Sequence, residues 1–146
     1  RYYGLDIDSA SVAAAKSNPN LNFVEFTTID ALAENFDYAQ YDIVTGTLFF
    51  HHLSSLQIST LLKRWNKAGV AVLLNDLQRS PLAWILFRIF STITFAPPMA
   101  RHDGALSIKR AFSSGELENL GEQSGYPHSA LKWKWAFRYL LLLWHE

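Results

Sequence analysis

Short apolar runs alternate with helix-period stretches along this chain. Tyr2-Tyr3-Gly4-Leu5-Asp6-Ile7 is a short apolar run closed by acids and reads as a strand. Ser9 to Lys16 is alanine-rich and predicts a helix with Ser9 as its N-cap. Asn18-Pro19-Asn20 marks a turn, Leu21 to Phe26 a second strand, and Ile29 to Phe36 a short helix. Tyr41 to Leu48 reads as a third strand, apolar enough to be central in a sheet. Ser54-Ser55-Leu56-Gln57 offers a capping box, and the stripe Ile58, Leu61, Leu62, Trp65 recurs at helical spacing until Gly69. Val70 to Leu74 predicts a fourth strand, followed at once by Asn75 and Asp76. Ser80-Pro81 opens a helix that is apolar nearly all round to about Ile93. A second capping box, Ser113 with Glu116, starts a helix that stops near Gly125. Ala130 to Phe137 and Tyr139 to Trp144 read as two closing strands that pair as a hairpin.

Strands separated by helices imply right-handed crossovers and parallel pairing. The expected fold is α/β, a doubly wound Rossmann-like and mostly parallel sheet with a C-terminal antiparallel edge hairpin, forming one domain over residues 1–146. Composition supports a packed core, since 49% of the 146 residues are hydrophobic. Thirteen basic side chains balance thirteen acidic ones, so no basic stripe predicts nucleic acid as a partner. The run from Leu82 to Met99 is interrupted by Arg88 and ends in Pro97-Pro98. It falls short of the ~20 uncharged residues of a spanning helix, so no transmembrane segment is expected and the run reads as a buried or lid-like helix. There is no cysteine, which excludes disulfides and thiolate metal sites and suits a reducing, cytoplasmic location. The chain opens on Arg1 with no signal pattern after it, and the first residues already read as a strand, so the sequence starts inside a fold.

In doubly wound sheets ligands bind beyond the carboxyl ends of the strands. Asp6, Asp30, the segment Thr47–His52 and Asn75-Asp76 all fall there. The Asp6 carboxylate can accept hydrogen bonds from a ribose diol, or it can stabilise a helix N-terminus. Asp30 can accept from an adenine amine, or simply cap the helix expected after it. His51 and His52 are adjacent, and neighbouring residues on a strand point apart, so the pair does not suggest a shared metal ion. One imidazole facing a pocket can serve as a general base; the alternative is a loop histidine bonded to backbone. Arg101-His102-Asp103-Gly104 is expected to be a polar loop, contacting substrate or closed by an Arg–Asp pair. No Gly-x-Ser-x-Gly, Walker-type loop or His-Glu-x-x-His occurs, which disfavours hydrolase, nucleotide phosphatase and zinc protease chemistry.

Taken in order, these segments resemble the class I S-adenosylmethionine (SAM)-dependent methyltransferases of small molecules. Gly4-Leu5-Asp6-Ile7-Asp8 is similar to their second-strand motif, and Phe23-Val24-Glu25-Phe26 with Asp30-Ala31 to the third. Tyr41-Asp42-Ile43-Val44 followed by Leu48-Phe49-Phe50-His51-His52-Leu53 resembles the fourth, and Gly69 to Asp76 the fifth. Arg110-Ala111-Phe112-Ser113 with Glu116-Leu117 resembles the approach to the late helix, which Gly125-Tyr126 closes. The resemblance implies SAM as cofactor. Asp6 would hold its ribose with Ile7 against the adenine, Asp30 and Ala31 would bind the adenine edge, and Thr47 and Leu48 would line the cleft. It further implies a catalytic, substrate-side role for His51 or His52. Acceptor contacts would come from the helix bearing Trp84 and from Arg101 and His102. An apolar, aromatic-rich lining would suit a polyketide-, quinone- or lipid-like small molecule, and a homodimer is compatible with it.

The departure from the family pattern is at the start. The family's first strand and its acidic-x-Gly-x-Gly loop do not occur in these residues, which leaves the methionine half of the cofactor without its usual cradle and implies that the chain alone is inactive. Two other readings stand beside this one. An NAD(P)-dependent oxidoreductase domain would also use Asp6, and a non-catalytic methyltransferase-like domain would have a partner complete its sheet.

Overall fold

The computed structural model describes all residues, Arg1–Glu146. They pack as two compact units, Arg1–Asp37 and Tyr38–Glu146.

In the first unit β1 (Tyr2–Asp6) pairs in parallel with β2 (Val24–Thr28), in a register running from Tyr2 opposite Val24 to Asp6 opposite Thr28. Helix α1 (Ser9–Ser17) makes the crossover and buries Val12. Its N-cap is Asp8, not the expected Ser9. The Asp8 carboxylate accepts from the N–H groups of Ala10 and Ser11 at 3.3 and 2.9 Å and from the Ser11 hydroxyl at 2.7 Å. A carboxylate with two acceptor oxygens and extended backbone meets these orphan donors, which moves the boundary one residue back. The Ser11 hydroxyl, then the backbone donors, hold the Asp8 carboxyl below its usual range. The second strand begins later than expected because Pro19–Leu21 wind into a 3₁₀ turn capped by the Asn18 side chain. The helix expected over Ile29–Phe36 does not form. Asp30 accepts the Leu32 N–H through its own side chain at 2.8 Å, and isolated turns close from Ala33 to Asp30 and from Phe36 to Ala33. Here the local side-chain bond competes successfully with helix formation.

The second unit holds a four-stranded sheet in the order β3-β4-β6-β5, built from β3 (Ile43–Thr47), β4 (Ala71–Leu77), β5 (His128–Lys134) and β6 (Arg138–Trp144). β3 and β4 are parallel, whereas β4–β6 and β5–β6 are antiparallel. Parallel and antiparallel pairings are therefore equal in number over the two units, not mostly parallel. β3 lies at an edge of this sheet, not at its centre; β4 is flanked on both sides. β4 also runs on to Leu77, because β6 pairs with it as far as Leu77 opposite Arg138. Asn75 and Asp76 thus sit inside the strand and not beyond its end.

Helix α2 (Ser55–Lys67) starts on the expected Ser54–Gln57 capping box and buries the stripe Ile58, Leu61, Leu62 and Trp65. Gly69, at φ +74°, turns the chain from it into β4, a conformation that glycine adopts freely. Phe50, Leu61, Leu62, Val70, Leu141 and Leu143 form the centre of the core, with Phe50 stacked on Trp65. Helix α5 (Ser114–Gln123) has the expected box between Ser113 and Glu116. Just after α5, the Tyr126 hydroxyl donates to the Val70 carbonyl at 2.6 Å, and burial raises its pKa.

Helix α3 (Pro81–Ile93) forms where expected, capped by Ser80. It is not buried, however. Only Ala83 and Ser91 are, while Leu82, Ile85, Leu86, Ile89, Phe90 and Ile93 are exposed. α4 (Pro98–Arg110) packs against α3, with the Phe87 ring against Gly104 and Trp84 against Lys109. α4 overturns the expectation of a polar loop at Arg101–Gly104, which lies wholly within this helix. Pro98 suits the first turn, and Gly104 is accommodated because any Cβ there would overlap the Phe87 ring. No helix is long and apolar enough to cross a membrane.

Candidate functional site

In the first unit two carboxylates stand at the same end of a parallel pair. Asp6 closes β1, and Asp30 lies just past β2; the Ile29 N–H donates to the Asp6 carbonyl at 2.9 Å. Each side chain is exposed and uses one oxygen locally, Asp6 Oδ1 for the Asp8 N–H and Asp30 Oδ1 for the Leu32 N–H, both at 2.8 Å. The second oxygen of each has no protein partner and can accept from a ligand. Ile7, exposed beside Asp6, offers an apolar surface, and Ala31 is half-buried.

In the second unit the chain leaves β3 through Leu48, whose φ of 56° is unusual for a residue with a branched side chain. The Leu48 N–H bonds the Asn75 carbonyl at 2.9 Å, which holds the turn, and Thr47 before it is exposed. A 3₁₀ turn over Phe50–His52 follows. Asp76, only 4% exposed, organises this turn. Its Oδ2 accepts from the Phe50 N–H at 2.7 Å and, at 3.4 Å, from the His51 N–H. Its Oδ1 lies 2.7 Å from His51 Nδ1 and 2.8 Å from the Leu77 N–H. Since the carboxylate accepts, Nδ1 carries the proton and Nε2 of a neutral His51 is the acceptor. Asp76 is the residue whose part in this arrangement the sequence reading missed. An acid in a strand that is apolar but for the neighbouring Asn75 was the available signal, because buried charge demands partners.

His51 is buried, whereas His52 reaches solvent with its ring centroid 4.1 Å from that of His51. Partial desolvation, and then the neighbouring His51, hold His52 below the usual imidazole value; Arg110 acts in the same sense and Asp76 against it. A neutral imidazole at the surface of this turn can take up a proton.

The α3–α4 hairpin separates the residues expected to contact an acceptor. Trp84 lies at the end where Arg88 and Lys109 sit over its ring, 5.3 and 5.4 Å from the centroid. Arg101 lies at the other end, donating from Nη2 to the Thr92 hydroxyl at 2.8 Å and not pairing with Asp103. Trp84 and Thr92 are ~12 Å apart along the helix axis, so Arg101 and Trp84 do not converge. His102 is exposed on α4. A cavity of about 470 Å³ opens at the Trp84 end, lined by Pro81, Trp84, Ile85, Ile108, Arg79 and Lys109. Arg79 is engaged there by Glu116, with both carboxylate oxygens at 2.6 Å from Nη2, and this contact holds Glu116 below its usual range. A second hollow, of about 490 Å³, is lined by Leu53 and Ser54 beside the histidine turn, by Arg110 and again by Arg79.

No protein-family model and no curated protein matches this sequence. Solved structures do. SibL, an S-adenosylmethionine-dependent methyltransferase solved in its apo form, superposes over 99% of the chain with a TM-score of 0.67 at 16% identity. The CMeT domain of the citrinin polyketide synthase superposes over 99% with a TM-score of 0.68 at 12% identity. The fold is that of the SAM-dependent methyltransferases. Human N-acetylserotonin methyltransferase, solved in complex with SAM, shares it over 97% of the chain with a TM-score of 0.62 at 14% identity. The chain spans 43%, 38% and 39% of the lengths of these three structures, respectively.

Proposed function

We propose that the intact protein is a SAM-dependent methyltransferase, Rossmann-like and single-domain in this region, that acts on a small apolar or aromatic acceptor. The observation that carries this reading is the pair of exposed carboxylates at the ends of β1 and β2, each with one oxygen unpaired. That donor-seeking set suits the ribose hydroxyls and the exocyclic amine of an adenosine. In this reading Asp6 accepts from the ribose, Ile7 packs on the adenine, Asp30 accepts from its amine, and Ala31 supports the same edge. Thr47 and Leu48 line the cleft at the end of β3.

When bound, SAM supplies a methyl group activated on a sulfonium. That methyl would go to a nucleophilic atom of the acceptor, whose proton would have to be removed. His52, neutral and exposed, takes that proton, while His51, fixed by Asp76, holds the turn that presents it. Most of the rate comes from holding donor and acceptor in line. Trp84 is assigned to the acceptor side; Arg101 and His102, towards the other end of the α3–α4 hairpin, do not converge with it and are not. No Gly-x-Gly occurs in the 146 residues, so none of them is assigned to the methionine half of the cofactor.

Calorimetric titration with SAM and with NADH tests the reading. Binding of SAM, weakened about tenfold in Asp6→Ala by the loss of a charged hydrogen bond, is expected. NADH binding without SAM binding would favour the oxidoreductase reading, and binding of neither would favour a non-catalytic domain.

A further inference from the structure

The large apolar side chains of α3 gather on one side of the helix, and that side faces solvent. Leu82, Ile85, Leu86, Ile89, Phe90 and Ile93 are all exposed, and at 100° per residue they share an arc of about 140°. Phe95 and Met99, at the turn into α4, are exposed as well. Contiguous apolar surface of this kind marks an interaction site. Positive charge borders it. Arg88 and Thr92 lie along one edge of the arc by the same period. Arg101 reaches that edge through its bond to the Thr92 hydroxyl at 2.8 Å, and Lys109 through the Trp84 ring, which it shares with Arg88. No carboxylate pairs with any of these three cations. The chain as a whole is balanced, yet residues 78–110 hold five of its thirteen basic side chains and one, Asp103, of its thirteen acids. Of those five cations only Arg79 is neutralised, by Glu116. The rest of the chain therefore carries an excess of acids, and the positive charge is concentrated around α3 and α4.

We infer that α3 lies flat on an anionic lipid surface, with its apolar arc at the boundary of headgroups and acyl chains and Arg88, Arg101 and Lys109 against the negative headgroups. An apolar face bordered by cations is the pattern of a helix that lies in the interface plane. The helix is about 20 Å long, short of the ~30 Å hydrocarbon core, so it rests on the bilayer and does not cross it. Charge decides against a second copy as the cover. Two-fold pairing of α3 with α3 would bring the same cations of each copy together, and α3 has no acid to meet them. A neutral lipid surface would use the apolar arc alone, whereas an anionic one uses the arc and the cations together. The inference stands apart from the methyltransferase reading, none of whose assigned residues lies in the arc.

Vesicle sedimentation of the intact protein, without SAM, tests this. The vesicles are phosphatidylcholine alone and phosphatidylcholine with an equal amount of phosphatidylserine. Ile89→Gln combined with Phe90→Gln removes apolar surface, and Arg88→Gln combined with Lys109→Gln removes charge. All four positions are exposed, and thermal melts establish that both variants fold. Binding to the phosphatidylserine vesicles is expected, stronger than to phosphatidylcholine and weakened by added salt. Each double variant is expected to bind them roughly tenfold more weakly. The comparison of the two vesicle types on the unaltered protein needs no variant. No binding to the phosphatidylserine vesicles, equal binding to both types, or unchanged affinity in either variant overturns the proposal. A dimer that dissociates in the Ile89 and Phe90 variant, with no vesicle binding, overturns it too and makes a second copy the cover. Each outcome leaves SAM binding to be judged by its own titration.

Discussion

His51 Nδ1 and Asp76 Oδ1 lie 2.7 Å apart, both side chains buried, one in the turn after β3 and the other inside β4. This contact ties the exit of an edge strand to the strand beside it. Asp76 also takes the Phe50 and Leu77 N–H groups, so truncating it orphans several donors at once. Asp76→Ala is expected to lower stability by about 3 kcal/mol, in the range for breaking a buried pair from one side. Urea denaturation measures this, and a loss below about 1 kcal/mol would show that the turn does not depend on Asp76.

His52 makes stability depend on pH in a defined direction. In the folded chain its imidazole gives up its proton more readily than at the ordinary value of 6.5. Below that value the unfolded chain therefore binds a proton that folded His52 still refuses, so its contribution is present above 6.5 and declines as the pH falls toward the folded value. Urea unfolding at about pH 8 and about pH 5 should show a smaller drop in stability for His52→Gln than for the unaltered protein. An identical drop in both would remove His52 as the source.

Gly104 of α4 packs directly against the Phe87 ring of α3. In an open helix Gly→Ala gains about 1 kcal/mol. Here the new Cβ would overlap the Phe87 ring, so Gly104→Ala is expected to destabilise by about 1–3 kcal/mol instead. Combining it with Phe87→Leu should recover part of the loss. A stabilised single variant in a thermal melt would mean that the two helices are not packed so closely.

Features set by neighbours in sequence were legible in advance. The Ser54–Gln57 and Ser113–Glu116 boxes, the buried stripe on α2 and the αL stop at Gly69 all depend on contacts within a few residues. Features set by distant partners were not. Asn75 and Asp76 seemed to end a strand because they are polar, yet pairing with β6 carries β4 past them. The apolar residues around α3 do not say which face turns inward; that depends in part on Gly104 of another helix, which leaves room for the Phe87 ring. Glycine and mixed polarity over Arg101–Gly104 suggested a loop because the packing that makes α4 a helix is tertiary. For the candidate site, the acids at the strand ends and the histidine pair were found from position alone. The different roles of His51 and His52 follow from Asp76, whose partner is 25 residues away.

The most direct measurement of the central claim is SAM affinity in the intact protein, by isothermal titration, for the unaltered chain and for Asp6→Ala. The account predicts that SAM binds, and that the variant, still folded, binds about tenfold more weakly. An unchanged affinity in Asp6→Ala, or binding of NADH in place of SAM, would contradict it.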